Sequence, residues 1–164
     1  MKRTVIATAV FAWLGMGAAT QAANIVETAQ EAGTFGTLLA AAEAAGLAEA
    51  LATGENLTVF APTDEAFAAL PAGTVESLLQ PENRDQLAAI LSYHVLPREL
   101  ASNQLPGRTI HIRTIKQGGD RLLAIAKDAH TGAVVVDGAN VVAADIRADN
   151  GIIHVIDKVM LPDG

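Results

Sequence analysis

The chain has 164 residues with 18 acidic and 11 basic side chains, a formal net charge of −7 and no cysteine. An acidic chain without a cluster of Lys and Arg is a poor match for nucleic acids and anionic membranes, which attract proteins through positive charge. The lack of cysteine excludes disulfide bonds and a lipid-modified N-terminal cysteine.

The N-terminal segment has the three regions of a cleavable signal peptide. Lys2 and Arg3 form a positive n-region, residues 5–16 are apolar, and small residues follow up to Ala22. The apolar stretch is shorter than the ~18 residues that a membrane-spanning helix needs. We therefore expect cleavage after Ala22, a secreted or periplasmic mature chain of residues 23–164, and no transmembrane anchor. Loss of these two cations changes the formal net charge from −7 to −9.

The first half of the mature chain carries the capping residues of short helices. Asn24, with Glu27 three positions later, forms a capping box, and Gly33 ends that helix. Similar signals predict four more helical segments: residues 34–46, residues 47–53, a turn that Thr74 caps, and a helix that starts at Pro81.

One strand interrupts these helices at the motif TVFAPTDEAFAAL. Residues 57–61 are mostly apolar and predict a short buried strand, which Pro62 ends. Thr63 or Asp64 can then cap a helix that carries Phe67. The chain is therefore expected to pass from sheet to helix within three residues.

From Tyr93 onward the apolar residues alternate with a period of two, which is typical of strands. Gly-Gly, Asp-Gly and Asn-Gly pairs at 118, 137 and 150 supply the turns. The predicted strands are 109–116, 122–125, 133–136, 141–146 and 152–161. Helices first and hairpins later predict a single α+β domain over residues 23–164 rather than an alternating βαβ fold.

The sequence contains no catalytic or metal-binding motif with the required spacing. The four histidines are not paired at positions two or four apart, as ligands on one strand or helix face would be: His94, His111, His130 and His154. No serine lies in a G-x-S-x-G elbow. We therefore expect no enzymatic activity, no cofactor and no metal. If catalytic groups converge only in space, the candidates are Asp64, His94 and His154.

The Asp and Asn residues of the second half could be read as calcium ligands. They lack the D-x-[DN]-x-[DN]-G order of a calcium loop. The sequence instead assigns them to hairpin turns, where Asx residues are favoured: Asp137, Asn140, Asp145, Asp149 and Asn150.

Three segments, in order, resemble the signature of the fasciclin-like (FAS1) domain: TVFAPTDEAFAAL at 58–70, YHVLP at 93–97 and NGIIHVIDKVMLP at 150–162. The resemblance implies a β-sheet wedge with helices packed on one side. It implies a binding or adhesion function at a cell surface or in a matrix, with a protein or polysaccharide partner. The matching structural signature residues are Thr63, Asp64, Phe67, Asn150, Gly151 and His154.

The family resemblance makes Tyr93 and His94 candidates for partner binding, because this dipeptide is implicated in adhesion by FAS1 domains. Val95 and Leu96 follow it, and a polar residue in such an apolar context is more often buried and hydrogen-bonded. The sequence therefore favours a structural role for the dipeptide. An alternative function is a carrier, in which a groove between helices and sheet holds a small apolar or lipidic molecule. A monomer is expected in either case.

Overall fold

The computed structural model describes residues 23–119 and 121–161. The expected signal peptide, residues 1–22, and Pro162, the expected end of the last strand, lie outside these ranges. The helices are α1 (Ile25–Ala32), α2 (Gly36–Ala45), α3 (Ala48–Thr53), α4 (Asp64–Ala68), α5 (Thr74–Leu78) and α6 (Arg84–Tyr93). Single 3₁₀ turns occupy Pro81–Asn83 and Ser102–Gln104.

The strands form one mixed sheet. They are β1 (Leu57–Pro62), β2 (Val95–Leu96), β3 (Ile110–Arg113), β4 (Leu122–Lys127), β5 (Val134–Val136), β6 (Ala139–Ala148) and β7 (Gly151–Ile156). Their order is β2-β1-β7-β6-β5-β4-β3. Only β1 and β7 pair in parallel, with Leu57 opposite Gly151 and Pro62 opposite Ile156, and the other neighbours are antiparallel.

The helices pack on one face of β1 and β7, the adjacent parallel strands that are called the central strands below. Val59 of β1 and Ile153 of β7 point to this face and join a cluster that includes Phe35, Leu38 and Leu91 of the helical layer. Successive side chains of a strand point to opposite faces, so alternate residues of β1 and β7 enter this cluster.

A second apolar cluster lies on the other face of the same strands. Phe60 of β1 and Ile156 of β7 meet Leu123 and Ile125 of β4 and Val136 of β5. Strands from both ends of the sheet order therefore contribute to one cluster, which requires the sheet to curl over itself. The central strands are buried on both faces, which explains why all six residues of β7 are buried.

The α+β prediction is confirmed, and several local predictions are corrected. Tyr93 is the last residue of α6 rather than the start of a strand, and only Val95 and Leu96 are extended after it. The residue before α5 is Gly73, with no side-chain cap, so the prediction that Thr74 caps it is wrong. The expected strand at 109–116 is limited to Ile110–Arg113.

Strand β6 also differs from the prediction. It runs over Ala139–Ala148 and has two register shifts against β7. Asp145 lies inside this strand with a left-handed φ of 59°, so its assignment to a hairpin turn is wrong. The irregularity is a β-bulge, which re-aims side chains and bends the strand.

Candidate functional site

The Tyr93 and His94 element lies between the two apolar clusters. Both residues are buried, with 2% and 1% of their surface exposed. His94 follows the last turn of α6, and its carbonyl accepts a hydrogen bond of 2.8 Å from the amide of Phe60 in β1. The end of α6 therefore places the dipeptide in the interior of the domain, beside the central strands.

The imidazole of His94 uses both of its nitrogens on the backbone. Nε2 accepts from the amide of Met160 at 3.0 Å, and Nδ1 donates to the carbonyl of Ile90 at 2.8 Å. An amide can only donate, so this arrangement fixes the neutral tautomer with its proton on Nδ1. Burial lowers the pKa of His94 to about 4. The ring is a neutral structural link at pH 7, not a free base.

The hydroxyl of Tyr93 joins α6 to the hairpins on the far side of the sheet. It lies 3.1 Å from the carbonyl oxygen of Leu122 and 3.2 Å from the Oδ2 atom of Asp137. The Nζ atom of Lys116 lies 6.0 Å from the centre of the Tyr93 ring, within the range of a cation–π contact. These contacts support a structural role for Tyr93.

The first motif places two caps on two different helices. Thr63 caps α4, since its hydroxyl accepts from the amide of Ala66 at 3.2 Å. The carboxylate of Asp64 instead accepts from the amide of Thr37, 2.7 Å away at the start of α2. That backbone hydrogen bond is the main cause that lowers the pKa of Asp64. Phe67 is buried in the helical cluster.

The NGIIHVID motif joins the start and end of the first helical region to the sheet. The Oδ1 atom of Asn150 accepts from the amide of Ile25 at 2.8 Å. Its Nδ2 atom donates to the carbonyls of Leu51, at 2.7 Å, and Gly54, at 2.9 Å. One amide side chain therefore holds α1, α3 and the β6–β7 turn together.

Gly151 is required by close packing rather than by an unusual backbone angle. A Cβ atom built at this position lies 2.0 Å from the carbonyl oxygen of Leu57 on the neighbouring strand. Only a residue without a side chain lets β7 approach β1 at this point of the parallel pair.

His154 lies on β7 and stacks on Phe60, with ring centroids 5.4 Å apart. Its Nε2 atom donates to the carbonyl of Leu100 at 2.7 Å, and its Nδ1 atom accepts from the amide of Asp145 at 3.3 Å. Burial is the main cause that lowers its pKa.

Sequence reasoning did not connect Ser102 with the bulge in β6. The carboxylate of Asp145 accepts from both the backbone amide and the hydroxyl of Ser102. The serine hydroxyl bonds directly to the carboxylate, and His154 uses both nitrogens on the backbone. These three residue types are therefore close together without the serine-to-histidine hydrogen bond of a catalytic triad.

The structure does not join the three residues named as candidates for catalysis. The hydrogen bonds of Asp64 go to Thr37, whereas both histidines bond to other backbone groups. Among residues 23–119 and 121–161, no group of three or more His, Asp or Glu side chains could hold a metal ion.

An apolar cavity of about 230 Å³ lies between α1–α3, α6 and the central strands. Ile25, Leu38 and Ile153 are among the buried side chains of its wall. Val26 and Leu51 are half-buried and mark the side that faces solvent. No motif marks the residues that line this cavity, because they look like ordinary core positions; only its place between helices and sheet was expected, as the groove of the alternative carrier function.

The family model of the fasciclin domain matches residues 33–162. The chain belongs to the fasciclin domain family. The TVFAPTD and NGIIHVID motifs of this fasciclin domain form the adjacent strands β1 and β7 and the residues that flank them.

Relatives of this fasciclin domain occur in bacteria and animals. Protein sll1483 of Synechocystis sp. is 48% identical over 149 residues, which cover 91% of this chain and 79% of the relative. The transforming growth factor-beta-induced protein ig-h3 of Sus scrofa is 41% identical over 128 residues, which cover 78% of this chain and 18% of that protein.

A solved structure shares the fold. It is a FAS1 domain pair from the insect cell adhesion molecule fasciclin I, with a TM-score of 0.51 and 19% identity. The match covers 78% of this chain and 46% of the pair. In the part of the fasciclin domain that the structure describes, no helix is both long and apolar enough to cross a membrane.

Proposed function

We propose that this protein is an exported, non-catalytic binding module that contacts a protein or polysaccharide of a cell surface or matrix. The observation that carries the proposal is the fasciclin match over residues 33–162. The structural neighbour belongs to a cell adhesion molecule, which supports adhesion as the general role. In this proposal residues 1–22 are a signal peptide, and residues 23–164 work as one monomeric domain.

The partner is contacted by exposed residues rather than by the buried dipeptide. Tyr93 and His94 are almost fully buried, and their polar side-chain atoms already bond within the domain. A partner could reach them only after local unfolding, which costs free energy that the contact must recover. In this proposal the dipeptide contributes by stabilising the domain.

The test is a capture experiment with the chain of residues 23–164 immobilised on beads. Envelope extract and purified surface polysaccharide are applied, and retained material is identified by mass spectrometry. We expect a reproducible partner that the Tyr93→Phe variant also retains, because this change keeps the buried ring and removes only the hydroxyl. Loss of capture by a variant with an unchanged melting temperature would place the contact on the dipeptide and contradict the proposal.

The non-catalytic part of the proposal is tested separately. The purified chain is assayed against esterase, glycosidase and phosphatase substrates, with and without a chelator. We expect no turnover above that of a mock purification, because Asp64, His94 and His154 bond to separate partners. Turnover that is abolished by replacing one of them, with folding intact, would show that the module is an enzyme.

A further inference from the structure

We propose that the apolar cavity beneath α1–α3 binds a small, uncharged apolar molecule, of the size of a medium-chain alcohol. The cavity has a volume of about 230 Å³ and lies between three helices, α6 and the central strands.

The volume sets the size of the ligand. An apolar protein cavity of ~150 Å³ stays free of water and binds benzene or xenon. The present cavity is about one and a half times as large. It therefore has room for a ligand of more than six carbon atoms, whereas a helix of about 10 Å diameter is too wide to enter.

The wall sets the polarity of the ligand. Among the described residues that line the cavity, His94 is the single polar side chain. Both of its nitrogens are engaged, with the amide of Met160 and the carbonyl of Ile90. A ligand finds no free side-chain donor or acceptor inside, so a polar group carried into the cavity would lose its bonds to water without replacement. The inserted part must be hydrocarbon.

The charge around the opening argues against an anionic ligand. Residues 23–56, which include α1–α3, contain five Glu and no Lys or Arg. The guanidinium of Arg84, which lies against Gly46 after α2, is a nearby cation. The excess of carboxylates makes the approach of a carboxylate unfavourable, and this repulsion weakens as salt is added. An uncharged alcohol is therefore preferred to a fatty acid of the same length.

The first experiment measures binding of the chain of residues 23–164 by titration calorimetry with 1-hexanol, 1-octanol and sodium octanoate. We expect affinity to rise about fourfold with each added methylene until the cavity is full. Octanoate should bind at least about tenfold more weakly than octanol in low salt, because its charge is repelled and has no partner in the cavity. Equal or tighter binding of octanoate would overturn the proposed preference for an uncharged ligand.

The second experiment locates the ligand by methyl NMR spectra. Octanol should shift the methyl signals of Ile25, Leu51 and Ile153, which line the cavity. The signals of Ile125 and Val136, in the other apolar cluster, serve as the internal control. Shifts that are confined to the control residues, or equal in both sets, would overturn the assignment of the site.

A matched pair of variants completes the test. Ala42→Leu on α2 adds three carbons at a buried lining position, whereas Ala44→Leu adds the same atoms on the exposed side of that helix. We expect the Ala42→Leu variant to bind octanol at least about tenfold more weakly than the parent chain. The Ala44→Leu variant should keep the affinity of the parent chain. If the Ala42→Leu variant fails to fold, Val26→Phe fills the cavity from its half-buried side. Unchanged binding by a folded, filled variant would refute the proposal.

Discussion

At the scale of single residues, His94 satisfies two backbone groups where α6 ends. Its ring accepts from the amide of Met160 and donates to the carbonyl of Ile90, and only 1% of the residue is exposed. A buried amide that loses its acceptor costs about 1 to 3 kcal/mol. The imidazole is therefore part of the packing of the central strands.

Replacing His94 with Ala should lower the free energy of unfolding by about 2 to 4 kcal/mol, from the unpaired amide and the space left behind. Urea unfolding followed by circular dichroism measures the change. His111→Ala is the control, because this histidine is exposed on β3 and should change stability by less than about 0.5 kcal/mol. A His94→Ala variant as stable as the parent that no longer captures a partner would support direct binding instead.

The stability of the domain should fall as the pH drops from 6.5 towards 4. Burial lowers the pKa of His94 from 6.5 to about 4, so between these values the unfolded chain binds more protons than the folded chain. The difference between these two pKa values corresponds to about 3 kcal/mol in the free energy of unfolding. The lowered pKa of His154 acts in the same direction.

Urea unfolding at pH 7.0, 6.0, 5.0 and 4.5 checks this dependence. In the His94→Ala variant the slope over this window should be shallower, with the remaining part due to His154 and to carboxylates with a lowered pKa such as Asp64. Equal stability at pH 7.0 and 4.5 in the parent chain would show that neither imidazole is held neutral.

Gly151→Ala should prevent folding or cost more than about 3 kcal/mol, because the new Cβ atom meets the carbonyl of Leu57 at 2.0 Å. Gly132→Ala is the matched control. Gly132 has a φ of 73° but nothing within 4 Å of a built Cβ, so its change should cost only about 1 kcal/mol of backbone strain. Melting temperatures of the two variants decide between close packing and backbone angle as the constraint.

At the scale of elements, α2 receives its cap from a residue elsewhere in the chain. Asp64 begins α4, but its carboxylate accepts from the amide of Thr37 at the start of α2. A negative charge at this end of a helix is favourable, because the unpaired amides there carry partial positive charge. The first motif thus ties α2 to the end of β1.

Asp64→Ala should destabilise the domain by about 1 kcal/mol and speed hydrogen exchange at the amide of Thr37. The Asp64→Asn variant keeps a hydrogen-bond acceptor and should therefore lose less stability. Asp85→Ala, in the exposed first turn of α6, is the control and should leave the exchange of Thr37 unchanged. Slow exchange at Thr37 in the Asp64→Ala variant would show that the cap is not needed.

The sequence predicted those elements whose determinants are neighbours in the chain. The capping box of Asn24 and Glu27 is present, and the Asp137–Gly138 turn joins β5 to β6 as expected. The cap from Asp64 to Thr37 spans 27 residues, and the bond from Ser102 to Asp145 spans 43. Such partners cannot be read from spacing, because only the folded chain brings them together.

The same limit applies to the candidate site. The apolar neighbours Val95 and Leu96 were enough to favour burial of Tyr93 and His94. The sequence offered a groove between helices and sheet only as an alternative, and it could not name the lining residues, because residues such as Ala29 and Ala42 occupy regular core positions of their helices. Its volume depends on how far apart the helical and sheet layers lie, which no single residue sets.

At the scale of the whole molecule, the proposed export leads to one prediction about the N-terminus of the protein. Material recovered from the periplasm or medium should begin at Ala23, because Lys2, Arg3, the apolar stretch and the small residues up to Ala22 match a signal peptide. Intact mass and N-terminal sequencing identify the first residue. Recovery of the chain with Met1 in the membrane fraction would contradict export by cleavage.

The parallel pairing of β1 with β7 depends on residues late in the chain. Asn150, which bonds to Leu51, lies 99 residues after it in the chain. Until residues 150–156 arrive, β1 lacks its parallel neighbour, and the ends of α1 and α3 lack the amide that joins them. Closing loops of this length is slow. A polypeptide crossing a membrane from its N-terminus would therefore stay unfolded for most of its passage. It would fold only when nearly all of the chain is on the far side.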